Sequence, residues 1–195
     1  MRAGPDTGRM PSLMTALAIS IRLFDNTNLP AADLAAAARS ASHIMARAGV
    51  ATVWTYCSAA AMPAECGEAL APGEVIVRIM RTPRAEAPGV LGTAIVDRTR
   101  RVGTFATVYG DRAYALADRS GVAPSDVLGR AMAHELGHLL LGTAQHSRRG
   151  LMRPVWTDIE LKRDLPPDWA LSQQEARRLR ANLALRFTST RGTTT

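Results

Sequence analysis

The sequence predicts an α/β fold in which helices pack against a mostly parallel β-sheet. Strand-like and helix-like segments first follow one another in the order βαββ, which is typical of parallel sheets. Two further β-branched runs then lie close together, as in a hairpin. Two helical segments come last. The chain has 195 residues, of which 47% are hydrophobic. That is enough for one well-filled core with an ordinary globular composition.

The first elements are predicted as follows. Residues 1–16 carry glycine, proline and arginine without periodicity, which predicts a flexible N-terminal segment. The run LAISIRLF at 17–24 predicts a buried strand. The stretch LMTALAISI, which follows Arg2 and Arg9, loosely imitates the charged and apolar regions of a signal peptide. No clear small-residue cleavage site follows it, so the strand is favoured. Residues 31–49 predict a helix that ends at Gly49.

The later elements are predicted from β-branched content, turn residues and helix start and stop signals. They are strands at 51–57 and 74–80, a hairpin of strands at 90–97 and 103–109, a helix from Pro124 to Gly142 and a final helix at 172–185. The final helix opens with Ser172 followed three residues later by Glu175, a capping-box pattern. The domain is therefore predicted to span 17–186, followed by a flexible tail at 187–195.

Charge and cysteine content limit the function classes. The formal net charge is +7, and residues 148–195 supply +5 of it, with 10 basic against 5 acidic residues. A nucleic-acid-binding protein is disfavoured, because aromatic residues for base stacking make up only 5% and no binding motif is present.

No apolar run reaches the ~18 residues that cross a bilayer. Cys57 and Cys66 could form a disulfide, which would favour a secreted or periplasmic protein, or stay as cytosolic thiols.

One short stretch concentrates the chemistry. The sequence AHELGHLLLGTAQHSRRGLMRP, at 133–154, holds three of the four histidines. On a helix, His134 and His138 lie one turn apart on the same face and can hold one metal ion between them. Glu135 is rotated by about 100° from His134. It cannot easily become a third ligand, but it can reach a water molecule at the metal.

A third ligand completes the pattern of a catalytic zinc site, which takes three protein ligands and leaves one position for water. His146 is the natural candidate, because Gly142 can end the helix in the left-handed conformation and let the chain turn back. Zn²⁺ is therefore the predicted cofactor, with Glu135 as general base in hydrolysis. The alternatives are an accidental match and a structural zinc site, although structural sites usually have four ligands and favour cysteine. His43 lies far away and is expected to be structural.

This stretch resembles the metzincin clan of zinc metallopeptidases, whose signature is H-E-x-x-H-x-x-G-x-x-H followed by a methionine turn. This stretch is similar to the matrix-metalloproteinase and archaemetzincin versions of the signature in four parts: HELGH, the later glycine, HS and LMRP. The resemblance implies a zinc endopeptidase acting on peptides or proteins, in a zincin-like domain with a twisted five-stranded sheet and one antiparallel edge strand. It assigns His134, His138 and His146 as zinc ligands, Glu135 as general base, Gly142 as helix-ending glycine and Met152 as the methionine of the turn. A monomer is expected.

The sequence departs from the clan pattern in two places. Both spacers between His138 and the third histidine are one residue longer, so Glu160 or Glu175 is an alternative third ligand, in the manner of the gluzincins. Arg153 stands where the clan has a tyrosine; a surface role is expected for it, with oxyanion stabilisation as the alternative. A fold that binds zinc but hydrolyses little is a further possibility, against which the intact Glu135 argues.

The resemblance also gives a role to the first strand of the hairpin. The run VLGTAI at 90–95 would be the edge strand above the cleft, where an extended peptide could add to it through main-chain hydrogen bonds. The candidate substrate-binding residues are Leu91, Gly92, Thr93 and Ala94. A plain hairpin strand covered by a loop is an equal alternative.

Overall fold

The computed structural model describes residues 17–58 and 62–188. Its elements are β1 (Leu17–Asp25), α1 (Ala31–Arg47), β2 (Val50–Cys57), β3 (Glu74–Met80), β4 (Gly92–Asp97), β5 (Val102–Tyr109), α2 (Gly110–Ser120), α3 (Pro124–Leu141), α4 (Asp158–Arg163) and α5 (Gln173–Thr188). Short 3₁₀ turns occur at Ala64–Gly67 and Pro166–Trp169. The predicted segment 1–16 lies outside the described residues, as does the predicted tail from residue 189 onward.

The five strands form one sheet in the order β2-β1-β3-β5-β4. Every neighbouring pair is parallel except β4 and β5, which form the antiparallel hairpin at one edge. The register is continuous through the centre, where Ile21 of β1 pairs with Trp54 on one side and Val75 on the other. The predicted α/β fold, with a mostly parallel five-stranded sheet and one antiparallel edge strand, is confirmed.

Helix α3 lies in the core. All residues from Val127 to Leu141 are buried, including four polar ones, so other elements enclose the helix on all sides. It contacts α1, α2, α5 and the hairpin strands. At Gly129 an added Cβ would lie 2.6 Å from the Ala37 carbonyl oxygen of α1, so the two helices are in backbone contact there. The helix that carries His134 and His138 is therefore held from several directions.

The C-terminal end of α3 is capped by side chains of α5. Gly142 has φ of +63°, and its N–H donates to the His138 carbonyl. Asn182 donates to the carbonyls of Leu140 and Leu141, at 3.1 Å each. Arg186 donates to the Leu139 carbonyl at 2.8 Å. The last four carbonyls of a helix have no partner within the helix, and here each of them has found one.

The disulfide and an arginine hold the connection between β2 and β3. Cys57 and Cys66 are joined, with their Cα atoms 5.9 Å apart. Arg22 of β1 donates to the Glu68 carbonyl at 2.6 Å and forms an ion pair with Glu74 at 2.5 Å. Disulfides persist mainly in oxidising compartments, which weakly suggests an extracellular location.

Two helices are absent from the sequence prediction. Helix α2 starts directly after β5, and Tyr109 provides no side-chain cap. Helix α4 is only six residues long, although Thr157 and Glu160 form a complete capping box at its start. Within the described residues, no helix is long and apolar enough to cross a membrane.

Candidate metal centre

Three histidine side chains converge on one point. His134 and His138 project from one face of α3, and His146 arrives from the loop after Gly142. The Nε2 atom of His138 lies 3.0 Å from that of His134 and 3.3 Å from that of His146. One ligand atom from each of the three rings lies within 4.8 Å of the others. The longer spacers therefore bring His146 to the same point as the helical pair.

Backbone carbonyls orient two of the rings. The Nδ1 atom of His134 lies 2.8 Å from the Leu151 carbonyl oxygen, and that of His138 lies 2.8 Å from the Thr143 carbonyl oxygen. A carbonyl oxygen only accepts, so each Nδ1 carries the hydrogen and each Nε2 presents a lone pair. Burial lowers the pKa of His134 to about 4 and also lowers the pKa of His138, which keeps both rings neutral.

This donor set fits a transition-metal ion. The facing Nε2 lone pairs of His134 and His138 would repel each other unless a cation lay between them. Neutral imidazoles suit zinc, copper, iron and nickel. A tetrahedral ion at ~2.0–2.1 Å from each nitrogen would hold the nitrogens about 3.3 Å apart, close to the two separations observed. Partners on Nδ1 are also the usual means of orienting a metal-binding histidine.

Met152 packs beneath this cluster. It is 1% exposed, and an added Cβ at Gly137, the residue before His138, would lie 2.5 Å from its sulfur. The turn that carries Met152 is held by the bond from the Ser147 N–H to the Met152 carbonyl, at 2.8 Å. Its neighbour Leu151 supplies the carbonyl that orients His134. Met152 therefore fixes the separation between this turn and α3.

Substitution of Met152 tests that packing. Met152→Leu nearly conserves the side-chain volume and should cost less than ~1.5 kcal/mol of unfolding free energy. Met152→Ala leaves a cavity against α3 and should cost about 2–5 kcal/mol. Urea denaturation and metal retention measure both variants, with Met62→Ala as the control because Met62 is 57% exposed. Equal and negligible effects of both Met152 changes would show that the residue does not support the cluster.

Glu135 of α3 lies against the edge strand β4 and lines the same cleft as the three histidines. Its carboxylate borders the cleft and makes no hydrogen bond to a described residue. An added Cβ at Gly92 of β4 would lie 2.7 Å from Glu135 Oε1 and 2.9 Å from its Cγ. Burial raises the pKa of Glu135 to about 8, and a cation bound in the cleft would lower it again towards the ionised form that a proton acceptor needs. Gly92 thus leaves the space that this carboxylate occupies.

The alternative ligands are engaged elsewhere. Glu160 accepts hydrogen bonds from both the N–H and the hydroxyl of Thr157, at 2.9 and 2.8 Å. Glu175 accepts from the Ser147 hydroxyl at 2.5 Å and caps the start of α5. Neither carboxylate belongs to the group of converging ligand atoms, whereas His146 does.

The expected surface role of Arg153 is wrong. The residue is only 8% exposed, and its guanidinium lies over the ring of Trp169, 5.4 Å from the ring centre. It faces Glu160 at 3.4 Å and Asp168 at 3.9 Å. These partners come from α4 and the 3₁₀ turn that follows it. Arg153 therefore connects the turn that carries Met152 to the next elements of the chain.

A cleft of about 880 Å³ opens beside the histidines. One wall is the edge strand, including the predicted residues Leu91, Gly92, Thr93 and Ala94. The remaining lining includes residues that the sequence did not predict, namely Arg112, Ala115, Leu116 and Arg119 of α2 and Trp156 after the turn that carries Met152. In the sequence, α2 is marked by apolar residues at helical spacing, Ala113, Leu116 and Ala117, and by Gly121 as a helix end. Helix α4 is marked by the capping-box pattern T-x-x-E at its start.

Comparison with known proteins supports the fold. No protein-family model and no curated sequence matches the chain. Among solved structures, metalloproteinase-II from Bacteroides fragilis matches with a TM-score of 0.54 and 11% sequence identity. The match covers 86% of this chain and 54% of that one, so this chain spans about half the length of its neighbour. At this identity the match shows the fold alone, which is zincin-like.

Proposed function

We propose that the protein is a zinc-dependent endopeptidase. The observation that carries the proposal is the position of the Glu135 carboxylate, which borders a cleft beside three converging imidazoles. A fold shared with a metalloproteinase supports the same reading. The disulfide supports a secreted or periplasmic location, and a monomer is expected.

The three histidines would hold Zn²⁺ through their Nε2 atoms, with the Leu151 and Thr143 carbonyls fixing the orientation of two of them. When bound, the ion supplies Lewis acidity, which lowers the pKa of water to about 7 and polarises a peptide carbonyl. The protein's own contribution is a rigid ligand set, because α3 is enclosed by its neighbours and capped by α5.

Glu135 moves the proton. Its carboxylate takes a proton from the attacking water as the oxygen bonds to the peptide carbonyl carbon. The resulting carboxyl group then returns that proton to the nitrogen of the leaving amine as the C–N bond breaks. One water is consumed, and one carboxyl and one amino terminus are produced. This role needs a carboxylate that is close to the water but is not itself a ligand.

Strand β4 would align the substrate. Within the described residues it pairs only with β5, so its outer edge offers unpaired main-chain groups towards the cleft. An extended peptide can add to such an edge as a further strand. The edge passes Glu135 at Gly92, which would place an internal peptide bond of the substrate beside the general base.

Metal-dependent hydrolysis tests this function. The purified protein, loaded with zinc, should cleave members of a mixed peptide library, lose the activity in 1,10-phenanthroline and regain it when zinc is restored. Elemental analysis should find one zinc per chain. Cleavage that survives removal of the metal would reject the proposal. A protein that holds zinc and binds peptides without cleaving them would be a binding module instead.

Gly92→Ala tests the position of the base. The added methyl group would meet Glu135 Oε1 and the Thr107 carbonyl oxygen, both at 2.7 Å, so the strand or the carboxylate must shift. Because a shift of about 1 Å in a catalytic group can cost ~10²-fold, peptide hydrolysis should fall at least ~10-fold with zinc content unchanged. The control is Gly67→Ala, where an added Cβ meets nothing within 4 Å. Full activity in Gly92→Ala would show that Glu135 does not depend on this contact.

A further inference from the structure

We propose that Arg119 makes the cleft selective for a substrate residue with a carboxylate side chain, glutamate above all. The inference rests on the proposed peptidase function and names the substrate class of the same site. Arg119 is on α2, which the sequence did not predict, and none of the reaction steps described above uses it.

One face of α2 forms a wall of the cleft. Arg112, Ala115, Leu116 and Arg119 all line the cavity that also contains the three histidines. They follow the spacing i, i+3, i+4 and i+7, which places them on one side of a helix. The two arginines are separated by about 10.5 Å along the axis. The wall therefore has an apolar centre with a guanidinium group at each end.

The guanidinium of Arg112 already has partners. It donates to the carbonyls of Val90 at 2.8 Å and Glu86 at 3.0 Å, and also to the carbonyl of Ala87. These three carbonyls belong to the loop that leads into β4. Arg112 therefore fixes the rim of the cleft and has little remaining capacity for a ligand.

The guanidinium of Arg119 is available. The side chain is exposed, and its hydrogen bond in the structure goes to the Ala115 carbonyl of its own helix, at 3.1 Å. No described carboxylate lies within 4 Å of it. The third arginine of the cleft, Arg153, is enclosed and faces two carboxylates. Of the three arginines that line the cleft, Arg119 is thus the one whose guanidinium has neither a described carboxylate beside it nor a full set of carbonyl partners.

The cavity lining that Arg119 shares with the metal ligands includes the apolar residues Leu116, Ala131, Val155 and Trp156. Ala131 is one helical turn before His134, and the Trp156 ring packs edge-on against the His134 ring with centres 5.9 Å apart. This pocket therefore starts beside the reacting centre. A side chain with a short aliphatic stem and a terminal carboxylate matches apolar walls that lead to a guanidinium.

One acidic group competes with this assignment. Asp158 also lines the cleft and would attract a basic side chain. However, one oxygen of its carboxylate, Oδ1, already accepts a hydrogen bond from the buried hydroxyl of Ser120, at 2.8 Å. Arg119 has no side-chain partner among the described residues. The difference favours a carboxylate as the ligand of this pocket.

Peptide pairs test the selectivity. In an otherwise constant peptide, Glu, Gln or Lys is placed in turn at three positions on each side of the scissile bond. At one position the wild type should cleave the Glu peptide about tenfold better than the Gln peptide, measured as kcat/KM. Arg119→Gln should bring that ratio close to one, and Arg119→Glu should invert it in favour of Lys. Arg177→Gln, an exposed arginine of α5, is the matched control and should keep the wild-type ratio.

A binding measurement separates this inference from the proposed function. Dissociation constants of the same labelled peptides are measured by fluorescence anisotropy on zinc-loaded Glu135→Gln protein, with and without Arg119→Gln. Glu-selective binding that Arg119→Gln removes supports the inference even if the wild type hydrolyses nothing, in which case only the peptidase proposal fails. The inference is overturned if no Glu preference exists, if Arg119→Gln retains it, or if the wild type prefers Lys.

Discussion

Glu135→Gln is expected to lower peptide hydrolysis by ~10²-fold or more while the metal stays bound, since this is the usual scale for losing a general base. Glutamine keeps the shape of the side chain beside Gly92, but it cannot accept a proton. Initial rates on a cleaved peptide and zinc content per chain measure the two halves of the prediction. Glu68→Gln, a change at an exposed residue outside the cleft, serves as the control and should behave as wild type.

Two results would contradict the role of Glu135. Hydrolysis near the wild-type rate would mean that another group accepts the proton. Loss of zinc together with activity would mean that the carboxylate is a ligand or a structural support. Thermal unfolding of both variants distinguishes a local effect from general destabilisation.

His146→Ala is expected to raise the dissociation constant for zinc by more than ~10²-fold, because loss of a ligand should exceed the 10–100-fold cost of losing an outer partner. At a free zinc concentration of one hundred times the wild-type Kd, zinc stabilises the wild type by about 2.7 kcal/mol. By the same relation, a variant with a hundredfold weaker Kd gains only about 0.4 kcal/mol. Because His146 is exposed, the metal-free proteins should unfold at similar temperatures.

Thermal unfolding with and without zinc measures this difference. His43→Ala is the matched control, since His43 is an exposed histidine on α1, away from the centre. If His146→Ala keeps the wild-type stabilisation while Glu175→Ala loses it, a carboxylate is the third ligand and the assignment of His146 is wrong.

The local features of this protein could be predicted from the sequence. The five strands are β-branched runs bounded by turn residues, so each was placed to within two residues at either end. Helix α3 has Pro124 at its start and Gly142 at its end, and both mark it in the sequence. The pairing of His134 with His138 needs only the helical repeat. These features depend on residues that are close together along the chain.

The features that were missed depend on tertiary contacts. Helix α2 begins without a capping side chain, because β5 leads straight into it. Arg153 is buried because Trp169, sixteen positions further along the chain, lies under its guanidinium. The convergence of His146 depends on the turn after Gly142, where His138 also contacts the Thr143 carbonyl. A spacing rule alone could not decide between His146 and a carboxylate.

The capping of α3 by α5 has a consequence for the order of events during synthesis. All three histidines leave the ribosome before Asn182 and Arg186, which bond the carbonyls at the end of the helix that carries two of them. At ~5–20 residues per second, the interval between His146 and Arg186 is about 2–8 s. During that interval a nascent chain has every metal-binding side chain but an unfinished helix end. We therefore expect the end of this helix to gain its full set of carbonyl partners only after α5 has docked.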